Sequence, residues 1–334
     1  MTKKIYTSED VARLAGVSQA TVSRVFAGGT AVSEKKRKKV LEAAAKLNYA
    51  LNAHARSLTT RRTRIIGIVM RNIGNPFYSA VLEIFYDRLS VLGYHILFIN
   101  SENEEVKESE IRQLIEYNVE GVIITDALLS SPASEKFNRS DIAVILFNRY
   151  SAPSKGSAVF CDNYMAAKQI ATYLLETGHR KFAFISGPST TSTTLDRLKG
   201  FRERLQQKGV HDLIIEAGDY TYENGFRSAQ ELVTRHSDID CMFCGNDIIA
   251  LGAMDGLRIF GYHVPDDISI VGFDNIRMSA WPSYSLTTWE QPLEEMVDAT
   301  VKILMEEIKN KAAKPKVKLM KGKMIIRNSV KSRK

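Results

Sequence analysis

Cysteine is scarce: Cys161, Cys241 and Cys244 are the only three in 334 residues. An odd number in a long chain argues against a disulfide framework. Cys241-Met242-Phe243-Cys244 has the spacing of a redox or metal pair. It lies, however, in an apolar run that reads as a buried strand, with no second ligand pair beside it, and core packing is the expectation. Also absent are a basic start joined to an apolar core of signal-peptide length and any apolar run of about 18 residues. The chain is expected to stay in the cytoplasm, with no membrane as partner.

The usual catalytic fingerprints are missing too. Gly-x-x-x-x-Gly-Lys-Ser/Thr, Gly-x-Ser-x-Gly and Gly-x-Gly-x-x-Gly do not occur. Ser186-Gly187-Pro188 and the hydroxyl-rich residues after it read as a flexible loop beside a cleft. No catalysis, no metal and no cofactor is expected.

Positive charge is lacking over most of the chain. Residues 1–64 hold 14 Lys and Arg against 4 Asp and Glu, a balance of +10, whereas the remaining 270 residues sum to −2. A basic head on a mildly acidic body is the footprint of phosphate binding, where each neutralised phosphate releases counterions. The run Lys35 to Lys39 belongs to that footprint or is a solvated helix face.

Within the head, Thr7 followed by Asp10 forms a capping signal, and Val11, Leu14 and Ala15 repeat at helical spacing. Gly16 ends that helix, because glycine enters the left-handed region cheaply, and Ser18 caps a second helix from Gln19. There Val22, Val25 and Phe26 share an apolar face, which leaves Gln19, Ala20, Thr21, Ser23 and Arg24 pointing elsewhere. Small residues for close approach, hydroxyls for phosphates and an arginine suited to guanine make this a recognition helix. A third helix, capped by Ser33 and running to about Leu47, covers the pair with Val40, Leu41, Ala44, Ala45 and Leu47. Residues 52–58 could form one further short helix, too short to persist alone in water.

Asp10-Val11-Ala12, Ala15-Gly16-Val17-Ser18, Thr21-Val22-Ser23-Arg24-Val25, Leu47-Asn48-Tyr49 and Ala55-Arg56-Ser57-Leu58 resemble the head of the LacI/GalR family of repressors. The downstream order fits that family to about residue 330. The resemblance implies double-stranded DNA with a pseudo-palindromic operator as partner, a homodimer, and DNA contacts from Thr7, Ser18, Gln19, Ala20, Thr21, Ser23 and Arg24. It also implies a hinge helix that orders on DNA, with contacts from Asn52, His54, Ala55 and Arg56, and with Leu58 wedged into the minor groove. Leu51 stands where the family pattern has proline, which removes a residue of fixed φ from the hinge entrance. No leucine heptads follow residue 330, so a dimer is expected.

From Arg64 the pattern alternates between strands and helices. Strands are expected at 65–70, 94–100, 121–125, 142–147, 181–186, 213–216, 241–245 and 269–273. Helices are expected at 76–92, 104–118, 163–177, 222–236, 247–260 and 293–308, with a further one ending near Phe201. Such a series implies parallel sheets covered on both faces. The fold class is thus an N-terminal all-α helix-turn-helix head plus an α/β core. The resemblance makes that core two-lobed and periplasmic-binding-protein-like, with the head at 1–50, hinge and linker at 51–64, and the core at 65–330. One lobe takes about 65–160 plus 292–319 and the other 161–291 plus 320–330, with crossings near Cys161, Gln291 and Met320. Residues 311–334 hold ten Lys and Arg and no acid, and read as a basic strand followed by a disordered tail, 331–334.

Ligands of open α/β sheets bind beyond the carboxyl ends of the strands. That rule collects Phe77, Tyr78, Arg149, Asp162, Arg197, Tyr220, Asn246, Asp274 and Gln291 at a cleft. By the resemblance, Phe77, Arg197, Tyr220, Asn246 and Asp274 match effector-contacting positions. Asp162, Asn163 and Asp247 serve either there or as helix caps. Planar arginine, carboxylates and aromatic faces suit a sugar, sugar acid or sugar phosphate. Arg149 points toward an anion, and Tyr220 also admits a purine. An export-type sugar receptor is the rival class, disfavoured by the basic head.

Overall fold

The computed structural model describes residues 6–26, 32–49, 62–101, 105–126, 129–150 and 156–334. The chain divides into two compact units, 1–64 and 65–334.

In the first unit, α1 (Ser8–Ala15), α2 (Gln19–Phe26) and α3 (Glu34–Lys46) enclose a small core. Asp10 Oδ2 accepts the Thr7 backbone N–H at 2.9 Å, closing the expected capping box. Gly16 ends α1 at φ 65, a conformation only glycine enters without strain. Val11, Ala12, Ala15, Val22, Val25, Val32, Val40, Ala43 and Ala44 form the core, and Phe26 meets Tyr49 edge to face. The expected apolar faces are slightly rotated. Leu14 and Leu41 are about half exposed and Ala45 faces outward, while Ala12 and Ala43 turn inward. Methyl groups at those positions let short helices approach closely, and the larger leucines do not fit between them. Ser33 holds the N-cap position of α3 without a side-chain cap; its carbonyl accepts the Lys36 and Arg37 amides. Leu51, Asn52, His54, Ala55, Arg56 and Leu58 lie outside the described residues.

The second unit contains two six-stranded sheets. The first comprises β1 (Ile65–Arg71), β2 (His95–Ser101), β3 (Gly121–Ile124), β4 (Ala143–Phe147), β5 (Ser157–Cys161) and β11 (Val317–Met320), in the order β11-β5-β4-β3-β1-β2. The second comprises β6 (Phe182–Ile185), β7 (Leu213–Glu216), β8 (Cys241–Cys244), β9 (Ser269–Asp274), β10 (Thr287–Glu290) and β12 (Lys323–Ile325), in the order β12-β10-β9-β8-β6-β7. Every pairing is parallel except β12 on β10. The helices are α4 (Pro76–Val91), α5 (Glu108–Glu116), α6 (Ser131–Arg139), α7 (Asn163–Glu176), α8 (Ser192–Gln206), α9 (Tyr222–Arg235), α10 (Asp247–Ile259) and α11 (Leu293–Lys309). The chain changes sheets after Cys161, after Gln291 and between Met320 and Lys323, so α11 returns to the first sheet. Among the described residues no helix is long and apolar enough to cross a membrane.

Several local expectations need correction. Helix α6 and strands β5 and β10 were not legible: α6 buries only Ala133 and Phe137, too few for a periodic signal. Helix α8 runs on to Gln206 because Leu205 continues the buried face of Phe201. The tail is also ordered rather than disordered. Arg333 donates its backbone N–H to Thr177 O at 2.7 Å, Ile270 donates to Ser329 O at 2.8 Å, and the Arg333 guanidinium reaches Asp267 O at 2.6 Å. Its lysines and arginine lie along an exposed surface, while its backbone is paired.

Helices α9 and α10 pack at glycine contact points. A Cβ on Gly252 would lie 2.1 Å from Tyr222 O, backbone that cannot move aside cheaply. Gly252→Ala is expected to lower stability by about 1–3 kcal/mol, read as a lower urea midpoint with an unchanged m-value.

Candidate functional site

The carboxyl ends of both sheets face one cleft. The first lobe contributes Asn72 after β1, Asn75, Phe77 and Tyr78 at the start of α4, Asp126 after β3, and Asn148 and Arg149 after β4. The second contributes Thr193 and Arg197 from α8, Tyr220 after β7, Asn246 after β8 and Asp274 ending β9. Four of these residues have positive φ: Asn72 at 60°, Asn148 at 67°, Tyr220 at 65° and Asp274 at 120°. Asparagine tolerates this region, whereas Tyr220 and Asp274 are held there by their surroundings, and such strain accumulates at binding sites.

Arg197, 2% exposed, organises the second lobe's wall. Its Nε donates to Asn163 Oδ1 at 2.8 Å, its Nη1 donates to Gly245 O, and its guanidinium stacks 3.5 Å from the Phe273 ring centre. Its Nη2 stands 3.9 Å from Asp274 Oδ1, an ion pair too long for a hydrogen bond. Burial pushes the Asp274 carboxyl up to about 7, against the opposing effect of Arg197 and with the help of the neighbouring Asp247 charge. Asp247 lies beneath, itself pushed up to about 6 by burial although Thr288 Oγ1 and the Ile276 N–H donate to it.

Tyr220 Oη bonds Thr193 Oγ1 at 3.1 Å and Thr194 Oγ1 at 2.8 Å. Its ring packs on Gly187, where a Cβ would come within 2.1 Å. The Ser186-Gly187-Pro188 stretch, expected as a flexible loop, is therefore a packed wall. In the first lobe Arg149 pairs with Asp126 at 2.6 Å, and Tyr78 Oη donates to Asp126 Oδ1 at 2.9 Å. Burial, then the Asp126 charge, holds the Tyr78 hydroxyl well above its ordinary value.

Of the expected cleft residues, Phe77, Tyr78, Arg149, Arg197, Tyr220, Asn246 and Asp274 line the cavity. Asn246 Oδ1 also caps α10 by accepting the Ile249 N–H. Asp162 and Gln291 are not in the lining. Asp162 caps α7, accepting the Met165 N–H at 3.0 Å, and Gln291 donates to Asp274 Oδ1 at 2.8 Å from behind. Asn72, Asp126 and Thr193 were missed. Each follows a strand or opens a helix at the same edge, so strand-end position was the available signal. Cys161, Cys241 and Cys244 are buried, and among the described residues no His, Cys, Asp and Glu group could hold a metal.

On the head, Ser18, Gln19, Ala20 and Arg24 are exposed and Thr21 and Ser23 half-buried. Thr7 is exposed and occupied in the capping box. Gln19 Nε2 donates to Ser8 Oγ at 2.9 Å, tying α2 to α1. Arg13, Ser18, Thr21 and Lys36 line an open groove there, two cations and two hydroxyls that suit phosphate oxygens.

Residues 7–52 match the family model described as bacterial regulatory proteins, lacI family. Residues 63–327 match that of periplasmic binding proteins and sugar binding domain of LacI family. The chain is 34% identical over 331 residues to the HTH-type transcriptional repressor PurR of Photobacterium profundum, covering 97% of this chain and 98% of that protein. It is 31% identical over 326 residues to the ribose operon repressor of Halalkalibacterium halodurans, covering 97% of each. The crystal structure of the lac repressor dimer bound to operator and the anti-inducer ONPF superimposes with a TM-score of 0.89 at 25% identity, covering 98% of this chain and all of that one.

The raised Asp274 carboxyl makes a prediction with a definite sign. Its neutral form is the one the fold favours, so its contribution is fully present below about pH 4, the ordinary carboxylate range, and is lost as pH rises through about 7. Asp274→Asn should therefore flatten the fall in Tm between those limits, with Asp247 supplying the residual slope; an unchanged slope would refute the assignment.

Proposed function

The chain belongs to the LacI family of bacterial regulatory proteins, and from that premise we propose that a neutral, polyhydroxylated small molecule in the cleft sets its hold on DNA. It is a DNA-binding transcriptional regulator under small-molecule control, as its relatives are. We read it as a homodimeric repressor of a two-fold operator, with Arg24 reading a base edge and the other exposed residues of α2 fitting it into the groove.

The observation that carries the ligand class is how the charged groups of the cleft are already matched. Arg149 is paired with Asp126, and Arg197 faces Asp274, whose carboxyl burial pushes up to about 7. Hydrogen-bonding capacity is nevertheless left over: Asn148 Oδ1 is buried without a partner, and Arg197 and Asp274 stand too far apart to satisfy one another directly. Hydroxyl groups both donate and accept, so a diol serves all three. Phe77 and Tyr220 offer apolar faces to C–H patches. The relative named ribose operon repressor favours the same reading.

Ligand binding favours one relative orientation of the lobes, and residues 51–64 pass that preference to the paired heads. We read the protein as a binding protein and not an enzyme, because the sequence carries no catalytic fingerprint. On the same reading it works without cofactor or metal, in the cytoplasm and on the nucleoid when bound to DNA.

A thermal-shift screen of neutral sugars tests the ligand class, since a cleft ligand raises Tm by mass action; no response across pentoses and hexoses would reject it. Arg197→Ala should abolish the ligand-induced change in operator affinity. Arg24→Ala should cost about 1–3 kcal/mol on the operator and little on random duplex; equal losses on both would reject its base-reading role.

A further inference from the structure

Asp126 lies just beyond β3 on the first lobe's wall, 3% exposed, and its partner Arg149 is 7% exposed. Arg149 Nη2 meets Asp126 Oδ1 at 2.6 Å, and Nη1 donates to the backbone carbonyl of the same residue at 3.1 Å. Two arms of the guanidinium fork are thus committed to one residue, the geometry that otherwise captures a ligand's carboxylate or phosphate. Tyr78 Oη donates to that same carboxylate oxygen at 2.9 Å and itself accepts from Asn148 Nδ2 at 3.1 Å. The carboxylate is consequently fixed from two sides and cannot swing clear. An anion approaching Arg149 would have to displace a buried carboxylate or lie against it, where like charges repel strongly in a poorly polarisable surrounding. The other arginine of the cleft, Arg197, is more committed, with Nε bound to Asn163 and Nη1 to Gly245 and only Nη2 turned toward Asp274.

We propose that Asp126 is a built-in counter-anion that sets the selectivity of the cleft: by filling the Arg149 fork it excludes ligands bearing a phosphate or carboxylate and reserves the space for neutral ones. This rests on the reading of the cleft as a ligand site. It makes Asp126 a specificity-determining residue and gives Arg149, which in sequence points toward an anion, the opposite meaning.

The test uses the full chain and the near-isosteric Asp126→Asn variant, with Asp126→Ser in reserve should the first fail to fold. Inorganic phosphate is titrated at constant ionic strength, followed by glucose against glucose 6-phosphate and ribose against ribose 5-phosphate, with affinities read by calorimetry and thermal shift. The basic head contributes equally to every variant, so differences report the cleft. The unmodified chain should prefer each neutral sugar to its phosphate. Asp126→Asn should bind phosphate at least tenfold more tightly than the unmodified chain, and adding Arg149→Gln should remove that gain. The proposal falls if Asp126→Asn gains no phosphate affinity, if the gain survives Arg149→Gln, or if the unmodified chain binds a sugar phosphate as tightly as its parent sugar. Should no sugar bind the unmodified chain while the variant gains phosphate through Arg149, the counter-anion role stands and the neutral-sugar reading fails.

Discussion

A guanidinium buried between two sheets has to be matched on every side, because removing a charge from water costs more than a single partner returns. Arg197 meets that demand by drawing on α7, α8, β8 and β9 at once, through Asn163, Gly245, Phe273 and Asp274. The same network reaches two of the three places where the chain changes lobes. Asn163 Nδ2 donates to Cys161 O at 3.0 Å at the first crossing, and Gln291 donates to Asp274 at the second. A ligand that inserts hydroxyls between Arg197 and Asp274 therefore acts on groups already tied to the hinges.

Polar contacts join the lobes at the cleft. Tyr150 of the first lobe gives its backbone N–H to Ser192 Oγ at 3.0 Å and its hydroxyl to Asp196 at 3.1 Å. Arg149 sits 5.7 Å from the centre of the Tyr220 ring. Each hydrogen bond of this kind contributes about 0.5–1.5 kcal/mol net. Contacts of that size are within the range that the binding energy of one small ligand can offset.

What was legible in the sequence depended on how local the signal was. Alternating apolar runs and amphipathic stretches located most strands and helices, strand-end position identified Tyr220 and Asp274, and the family resemblance identified Arg197. Asp126 also follows a strand, but its pairing was not legible because its partner Arg149 is distant in sequence. The two meet only because β3 pairs with β4 so that Ile124 lies beside Leu146, a register that carries Asp126 alongside Asn148. Asp162 looked equivalent to Asp274 by position, yet its carboxylate is spent on the first turn of α7. The C-terminal residues failed for a different reason: their charge described the side chains, while their order is set by backbone pairing with Ile270 and Thr177 and by the Lys331 N–H donated to Ser269 Oγ.

The two units deal with charge in opposite ways, and the contrast explains why they are joined. The head carries a large excess of positive charge and attracts a polyanion over distances comparable to the screening length, an attraction that depends little on orientation. The cleft instead sets its arginines against buried carboxyls, and its polar groups act through short, directional hydrogen bonds that depend on the arrangement of its walls. Charge alone would leave the head bound to any duplex, and directional bonding alone would leave the cleft a receptor without an output. Coupling them lets a geometric event in the cleft decide when two heads share the spacing of a two-fold operator. By linkage the operator must then alter ligand affinity by the same factor that the ligand alters operator affinity.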